Sequence, residues 1–523
     1  MKEIFKYGQD HLTTGKALQI ARGQLQGVLS KESLKKVSKS QQIVASIVDG
    51  DQAVYGINTG FGPLCTTKIS KEDTDTLQYN ILKSHSVGVG NAIPIEIAKL
   101  MLILKIHSLA QGYSGIAVAT LERIQWHIEQ DIVPIVPEKG SVGASGDLAP
   151  LAHLFLPLIG LGKVWYKKKI VNANYVFRKE GMSAITLGAK EGLALINGTQ
   201  FIAAFAVKTV EKLHSCLSQA DIIGAMMLEG LLGSASPFLK DLHQLRPYKG
   251  NQHVAQRIQH LLKDSTILES HVNCERVQDP YSLRCMPQVH GASRTSWLHL
   301  KELLEIELNA VTDNPVIIEE GLTISGGNFH GQPLALPLDY ACIAASEIGN
   351  ISDRRIYLSL MGFVKGVPKL LMEEAGLNSA FMMLQYTTAA LASENKGLCF
   401  PASADSIPTS LGQEDHVSMG SISGRKALSV IENVEKILAI ELICAAQSFD
   451  YHKPLKSGKI LDAIHAHVRT KISHAENDRV FAVDIEKAIE IIQSKAILQI
   501  ANSVAQEQGC SLVTEMDVLF ETF

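Results

Sequence analysis

Gly140-Ser141-Val142-Gly143-Ala144-Ser145-Gly146-Asp147-Leu148-Ala149-Pro150-Leu151-Ala152-His153-Leu154 is the stretch on which the reading of this chain turns. Three small residues, Ala144, Ser145 and Gly146, lie at its centre. Glycine has no Cβ and reaches strained dihedrals cheaply, so Gly146 can approach the preceding backbone closely and Gly143 loosens the other flank. In such a tripeptide the glycine amide nitrogen can attack the alanine carbonyl carbon and close a five-membered ring. Loss of water from that ring and from the serine side chain leaves a 4-methylideneimidazole-5-one (MIO), an electrophile made without an imported cofactor. A nucleophile elbow would need Gly-x-Ser-x-Gly, but Asp147 stands two residues after Ser145. A phosphate loop would end in Gly-Lys-Ser/Thr, which does not follow. A glycine-rich turn leading into a helix is the plain alternative, and the flanking residues have to decide.

The chain has 523 residues, 46% hydrophobic and 20% charged, the balance of a globular protein with a large core. A formal net charge of -4 and the absence of a basic run interleaved with aromatics argue against nucleic acid or anionic lipid as partners. The segment Met1 to Asp10 lacks the apolar stretch of a signal peptide, and no window approaches the roughly 18 apolar residues of a membrane span. The 8 cysteines are scattered without a Cys-x-x-Cys pair, which reads as buried thiols in a reducing compartment and no metal site. The expected location is the cytoplasm.

Helical periodicity dominates. Ile93, Ile97, Leu100, Met101 and Leu104 recur at helical spacing, as do Ala427, Val430, Ile431, Val434, Ile437, Leu438 and Ile440. Ile485, Ala488, Ile489, Ile492, Ala496 and Ile500 predict another helix, capped at Asp484. Ala335 to Ile348 is apolar on nearly all faces and is expected deep in a bundle. Strand patterns are few: a small hairpin over Val164–Val171 and another over Val316–Ile324, turning near Glu320-Gly321. The expectation is an all-α chain. It has a loop-rich N-terminal region at 1–200, a central long-helix bundle at 201–450 and a C-terminal helical region at 451–523.

Polar segments interrupt this pattern: Tyr55-Gly56-Ile57-Asn58-Thr59-Gly60-Phe61-Gly62, Ser84-His85, Asn197-Gly198-Thr199-Gln200, Gln278 to Cys285, Gly327-Asn328-Phe329-His330-Gly331 and Gln413-Glu414-Asp415-His416. With the Ala-Ser-Gly run they resemble, in order and spacing, the aromatic amino acid ammonia-lyases, from about Tyr55 to Lys487. The resemblance implies a long-helix bundle of the ammonia-lyase, fumarase/aspartase-like type. It also implies an MIO group formed from Ala144, Ser145 and Gly146 with no external cofactor, and a homotetramer whose active sites draw on more than one chain.

Within that family two positions resemble the branch that acts on L-histidine, yielding trans-urocanate and ammonia. They are His85, where the substrate ring is selected, and Glu414. A carboxylate can accept a charge-assisted hydrogen bond from an imidazole nitrogen, whereas a phenyl ring would strand it. His85 alone does not discriminate. A tyrosine or phenylalanine lyase, or an aminomutase, stays open, as does a catalytically silent oligomer of the same fold.

The resemblance assigns Tyr55 as an acid/base group in the loop over the site and Tyr281 as a second tyrosine near the substrate amine. Glu414 is a candidate base as well as an imidazole contact. It assigns Arg284 to the substrate carboxylate, which its planar fork suits. Asn197 and Gln278 become polar partners of the prosthetic group or carboxylate, and Phe329 an aromatic neighbour of the electrophile. Each has a structural competitor: an ordinary buried phenol for the tyrosines, an ion pair for Arg284, a helix cap for Asn197 and core packing for Phe329. Asp147 either assists cyclisation or caps a helix. Gln288 reads as scaffold, and Asp313 and Asn314 as turn residues. The segment Val367 to Glu374 and the pair Leu411-Gly412 depart from the family pattern.

Overall fold

Four long helices carry the fold: Gln200–Gly230, Met286–Leu308, Gln332–Ser359 and Gly420–Asp450. The computed structural model describes residues 3–50, 53–60, 62, 69–272, 276–507, 509 and 512–523. Phe61 of the first polar motif lies outside them. Gln200–Gly230 is buried on almost every face, from Phe201 and Phe205 to Ile222 and Met226. A helix apolar all round belongs at the centre, and the other three pack around it. Gly424 allows one close approach: a Cβ there would meet the Phe205 Cβ at 2.9 Å. Buried polar pairs join these helices to one another and to the helix Lys249–Leu261. Arg355 Nη2 donates to Glu441 Oε2 at 3.0 Å, and Asp221 accepts from Arg257 Nε at 3.1 Å and pairs with His290 Nδ1 at 2.9 Å.

Three expectations need correction. The helix through residues 335–348 is not enclosed on all sides. Ala335, Leu338, Ala341, Cys342 and Ala345 are buried, but Leu336, Tyr340 and Ile343 are exposed, so one face of this helix stays open. The pattern read as one helix after Asp484 is two, Phe481–Gln493 and Ala496–Glu507, parted at Lys495 with φ +58°. Asp484 lies inside the first of them and accepts from Arg479 Nε at 2.7 Å rather than capping it. The helix expected from Ile93 begins at Ile95, after Pro94, and runs to Leu109.

The hairpins fall where the alternation placed them, Lys163–Tyr166 with Lys169–Asn172 and Val316–Glu319 with Leu322–Ile324. The sequence reading missed the pairing of Val89–Ala92 with Pro137–Lys139. That short ladder ends where the glycine-rich run begins and so fixes its entry. Among the described residues no helix is long and apolar enough to cross a membrane.

Candidate active site

The tripeptide sits in a strained reversal. Gly143, Ser145 and Gly146 have φ of +89°, +47° and +82°. A serine in the left-handed region costs about 1–3 kcal/mol and persists only where its surroundings impose it. Here they do. Gly198 N–H donates to Ser145 O at 3.2 Å, and Asp147 N–H donates to Gly198 O at 2.8 Å. On the other side Met419 N–H donates to Val142 O at 2.9 Å and Ser421 Oγ to Ser141 O at 2.6 Å. There is no space for larger residues: a Cβ on Gly146 would lie 2.1 Å from Gly198 O, and one on Gly143 would lie 2.2 Å from Ser418 Oγ. Successive positive φ values curl the chain back on itself, and a side-chain-free glycine follows the serine. This is the backbone that an MIO precursor requires, so the residues present fit that group.

The helix Leu148–Phe155 starts directly after this turn. Asp147, fully buried, does not cap that helix through its side chain. Its carboxylate instead accepts from Phe201 N at 3.1 Å and Ile202 N at 3.0 Å, in the first turn of Gln200–Gly230, and from Ser141 Oγ at 3.3 Å. Burial pushes this carboxyl up to about 7, opposed by those hydrogen bonds.

Ser145 opens onto a cavity of about 500 Å³ whose walls include Tyr55, Ser84, His85, Leu148 and Glu414. Ser145 Oγ donates to Glu414 Oε1 at 3.3 Å, and the other carboxylate oxygen accepts from Thr409 Oγ1 at 2.9 Å and Ser410 Oγ at 2.7 Å. His85 ends the helix Lys71–His85, with its Nδ1 3.0 Å from Ser84 Oγ. Burial lowers the His85 pKa, against the raising effects of the Ile81 carbonyl and the Glu414 charge, so its imidazole is neutral near pH 7. Tyr55 Oη accepts from Gly62 N at 3.3 Å. An adjoining cavity of about 430 Å³ shares His85, Leu148 and Glu414 and reaches Ala144.

Behind the tripeptide lie two lysines that the sequence reading did not single out. Lys105, in the apolar helix Ile95–Leu109, donates from Nζ to Asn197 O. Burial pushes its ammonium down to about 7, although Asp313 and Asp147 pull it up. Lys190, fully buried, pairs with Asp313 at 2.8 Å. Asn197 Nδ2 donates to Asn314 O at 2.8 Å, so Asn197 fastens two loops rather than capping the start of a helix. Asp313 and Asn314, read as turn residues, are buried anchors of this layer.

The remaining candidates lie elsewhere in the chain. Tyr281 is 71% exposed, and the Arg284 guanidinium lies 4.5 Å from the centre of its ring. Arg284 Nε donates to Asp279 O at 2.9 Å. Gln278 and Arg284 line a separate cavity of about 780 Å³ with Cys285 and Gln288. Phe329, half-buried in the turn before Gln332–Ser359, lines neither cavity. One chain therefore brings together Tyr55, His85, Ser145 and Glu414 and leaves Gln278, Tyr281, Arg284 and Phe329 out of that cavity.

Comparison with known proteins covers both groups. A family model described as aromatic amino acid lyase matches residues 12–470, which span every candidate from Tyr55 to Glu414. The histidine ammonia-lyase of Myxococcus xanthus is 44% identical, over 94% of this chain and 97% of its own length. The crystal structure of histidine ammonia-lyase from Trypanosoma cruzi matches at a TM-score of 0.89 and 39% identity, covering 99% of this chain and 97% of that one. Tyrosine aminomutase from Streptomyces globisporus matches at 0.90 and 32% identity, over 96% and 99%. The chain belongs to the aromatic amino acid lyase family.

Proposed function

We propose that this chain removes ammonia from L-histidine to give trans-urocanate, the first step of histidine breakdown, with an MIO group formed from Ala144, Ser145 and Gly146. The reading rests on the contact between Ser145 and Glu414, with His85 on the same cavity. When formed, the group supplies an electrophile at the Ser145 side-chain carbon. Glu414, held by Thr409 and Ser410, accepts a hydrogen bond from the imidazole of the substrate. The neutral His85 lines the same wall and limits the ring that fits.

The β-proton of an amino acid is barely acidic, so a base must stand within about 3 Å of it. Tyr55 is our candidate, with Glu414 beside it. The Tyr55 hydroxyl oxygen accepts from the Gly62 amide at 3.3 Å, which holds the phenol at the cavity wall. Arg284 grips the substrate carboxylate through its planar fork. Tyr281 and Gln278 accompany it, Phe329 packs beside the electrophile, and Asn197 holds the loop beneath.

These last groups reach the substrate in a homotetramer, where one chain's Arg284 cluster faces another chain's Ser145 cavity. Two observations support this assembly. Leu336, Tyr340, Ile343 and Tyr357 expose one apolar stripe along Gln332–Ser359, and Met383 and Tyr386 are exposed on the neighbouring helix Met382–Leu398. Among the described residues, the lining of the cavity that holds Ser145 also offers no lysine or arginine to a carboxylate. The divisions at residues 200 and 450 belong to this proposal as regions of one lyase unit, a reading supported by the main apolar cluster, which includes residues from Phe5 to Phe520. A cytoplasmic location agrees with free buried thiols such as Cys216 and Cys444.

The likeness to a tyrosine aminomutase makes a tyrosine-directed reaction the competing reading. A substrate panel separates them. Purified protein given L-histidine, L-tyrosine and L-phenylalanine is expected to release urocanate well ahead of coumarate or cinnamate. Strong coumarate or cinnamate formation with no urocanate overturns the proposal.

A further inference from the structure

The peptide unit joining Asn197 to Gly198 is hydrogen-bonded at both ends. Its oxygen accepts from Lys105 Nζ. Its N–H donates to the Ser145 carbonyl oxygen at 3.2 Å. The bonds run in series from the lysine, through one planar amide, to an oxygen of the tripeptide. Lys105 is 2% exposed among Ile103, Leu104 and Ile106. A buried amine in such surroundings needs a reason to be there. The Asp313 carboxylate, whose charge acts on Lys105, is itself held by Lys190 at 2.8 Å.

We propose that Lys105 is a positioning residue for formation of the prosthetic group, polarising the Asn197–Gly198 peptide so that the Gly198 N–H stabilises negative charge on the Ser145 carbonyl oxygen. The assignment rests on the ring reading above and extends it to a residue outside the substrate cavity.

The chemistry directs charge to that oxygen twice. For ring closure Gly146 N–H gives up its proton, and the amidate charge is shared between Gly146 N and Ser145 O. The nitrogen bonds to the Ala144 carbonyl carbon, whose oxygen takes a proton. That hydroxyl then leaves with the Ser145 N–H proton as the first water, giving a carbon–nitrogen double bond. In the second loss the Ser145 Cα proton departs, with the resulting charge again on Ser145 O. Hydroxide leaves from Cβ, and the two combine as the second water. No oxidant is needed. A pre-aligned donor at the oxygen where charge develops is the arrangement that lowers such barriers, and a chain of hydrogen bonds in a dry interior reinforces itself. Burial and the Lys190 charge lower the Lys105 ammonium to about 7, where Asp313 and Asp147 still hold a protonated fraction at neutral pH.

Intact mass of the full-length chain, sampled over time after a short pulse of synthesis, tests this. Lys105→Gln keeps an N–H donor and removes the charge, whereas Lys105→Arg keeps the charge. Circular dichroism and the assembly state show that each variant is folded, and Lys105→Met repeats the test if the glutamine variant is not. The expected result is loss of two waters by the wild type, at least tenfold slower loss by Lys105→Gln, and recovery to within about threefold by Lys105→Arg. Rescue by arginine is a readout that simple packing would not produce. Water loss by folded Lys105→Gln at the wild-type rate, or an arginine variant as slow as the glutamine one, overturns the role of Lys105 alone. A wild-type chain that never loses water overturns the ring reading, and this assignment with it.

Discussion

Gly146 and Glu414 show how single residues set this site. Gly146 has φ +82°, and its missing Cβ leaves space occupied by Gly198 O. Gly146→Ala is therefore expected to lower stability by about 1–3 kcal/mol in thermal unfolding and to abolish the loss of water seen by mass. Glu414 acts at the opposite end of the Ser145 hydroxyl. Glu414→Gln keeps the shape and the Thr409 and Ser410 anchors. Ring formation should survive in intact mass, while histidine turnover falls by about 10²–10⁴-fold, the range expected for loss of a group that binds the ring and moves a proton. Unchanged turnover would remove Glu414 from the mechanism. Ser145, Glu414 and His85 were readable because each lies in a short polar motif that interrupts an apolar pattern. Lys105 was not, because one lysine in a helical run usually keeps its charged tip in water. Its burial depends on a peptide oxygen 92 residues away.

At the scale of elements, the helix Gln200–Gly230 links the site to the core. Its first turn is satisfied by Asp147, which belongs to the tripeptide turn. Sequence reading weighed Asp147 as a cap for the helix that follows it, and only the tertiary fold shows that it serves another. At the far end of the same helix, burial pushes the Glu229 carboxyl up to about 8, opposed by the Ser457 and Ser265 hydroxyls. The folded state holds this proton where an unfolded chain, with an ordinary value of 4.5, has lost it. The contribution is thus fully present below about pH 4.5 and is lost as pH rises to about 8, by up to about 1.4 kcal/mol per pH unit. Glu229→Gln should gain stability over the wild type progressively from about pH 5 to about pH 8, measured by denaturant unfolding. A constant difference across that range would show that Glu229 is ionised in the fold. Helical periodicity located the long helices well, but it carries no mark for the break at Lys495, where a left-handed residue ends one helix and the apolar pattern simply continues.

For the molecule as a whole, the separation of Gln278, Tyr281, Arg284 and Phe329 from the Ser145 cavity is the main consequence. Composition carries no trace of it, and neither does periodicity: Leu336, Tyr340 and Ile343 read as core because an apolar face looks the same whether its partner is the same chain or another. If the site is shared, Ser145→Ala and Arg284→Ala, each inactive alone, should regain activity when their subunits are mixed by mild dissociation and reassembly. A return of up to about a quarter of wild-type turnover follows from random mixing of sites that need one intact contribution from each of two chains. No recovery in a mixture shown to contain mixed oligomers would place the whole site in one chain. The central claim, a backbone that converts itself into the electrophile, meets its most direct test in the proteolytic peptide that contains Ala144, Ser145 and Gly146, taken from an active preparation. The account predicts that this peptide is lighter than its encoded mass by two waters, with the loss confined to the three residues. An unmodified tripeptide in protein that turns over histidine would contradict it.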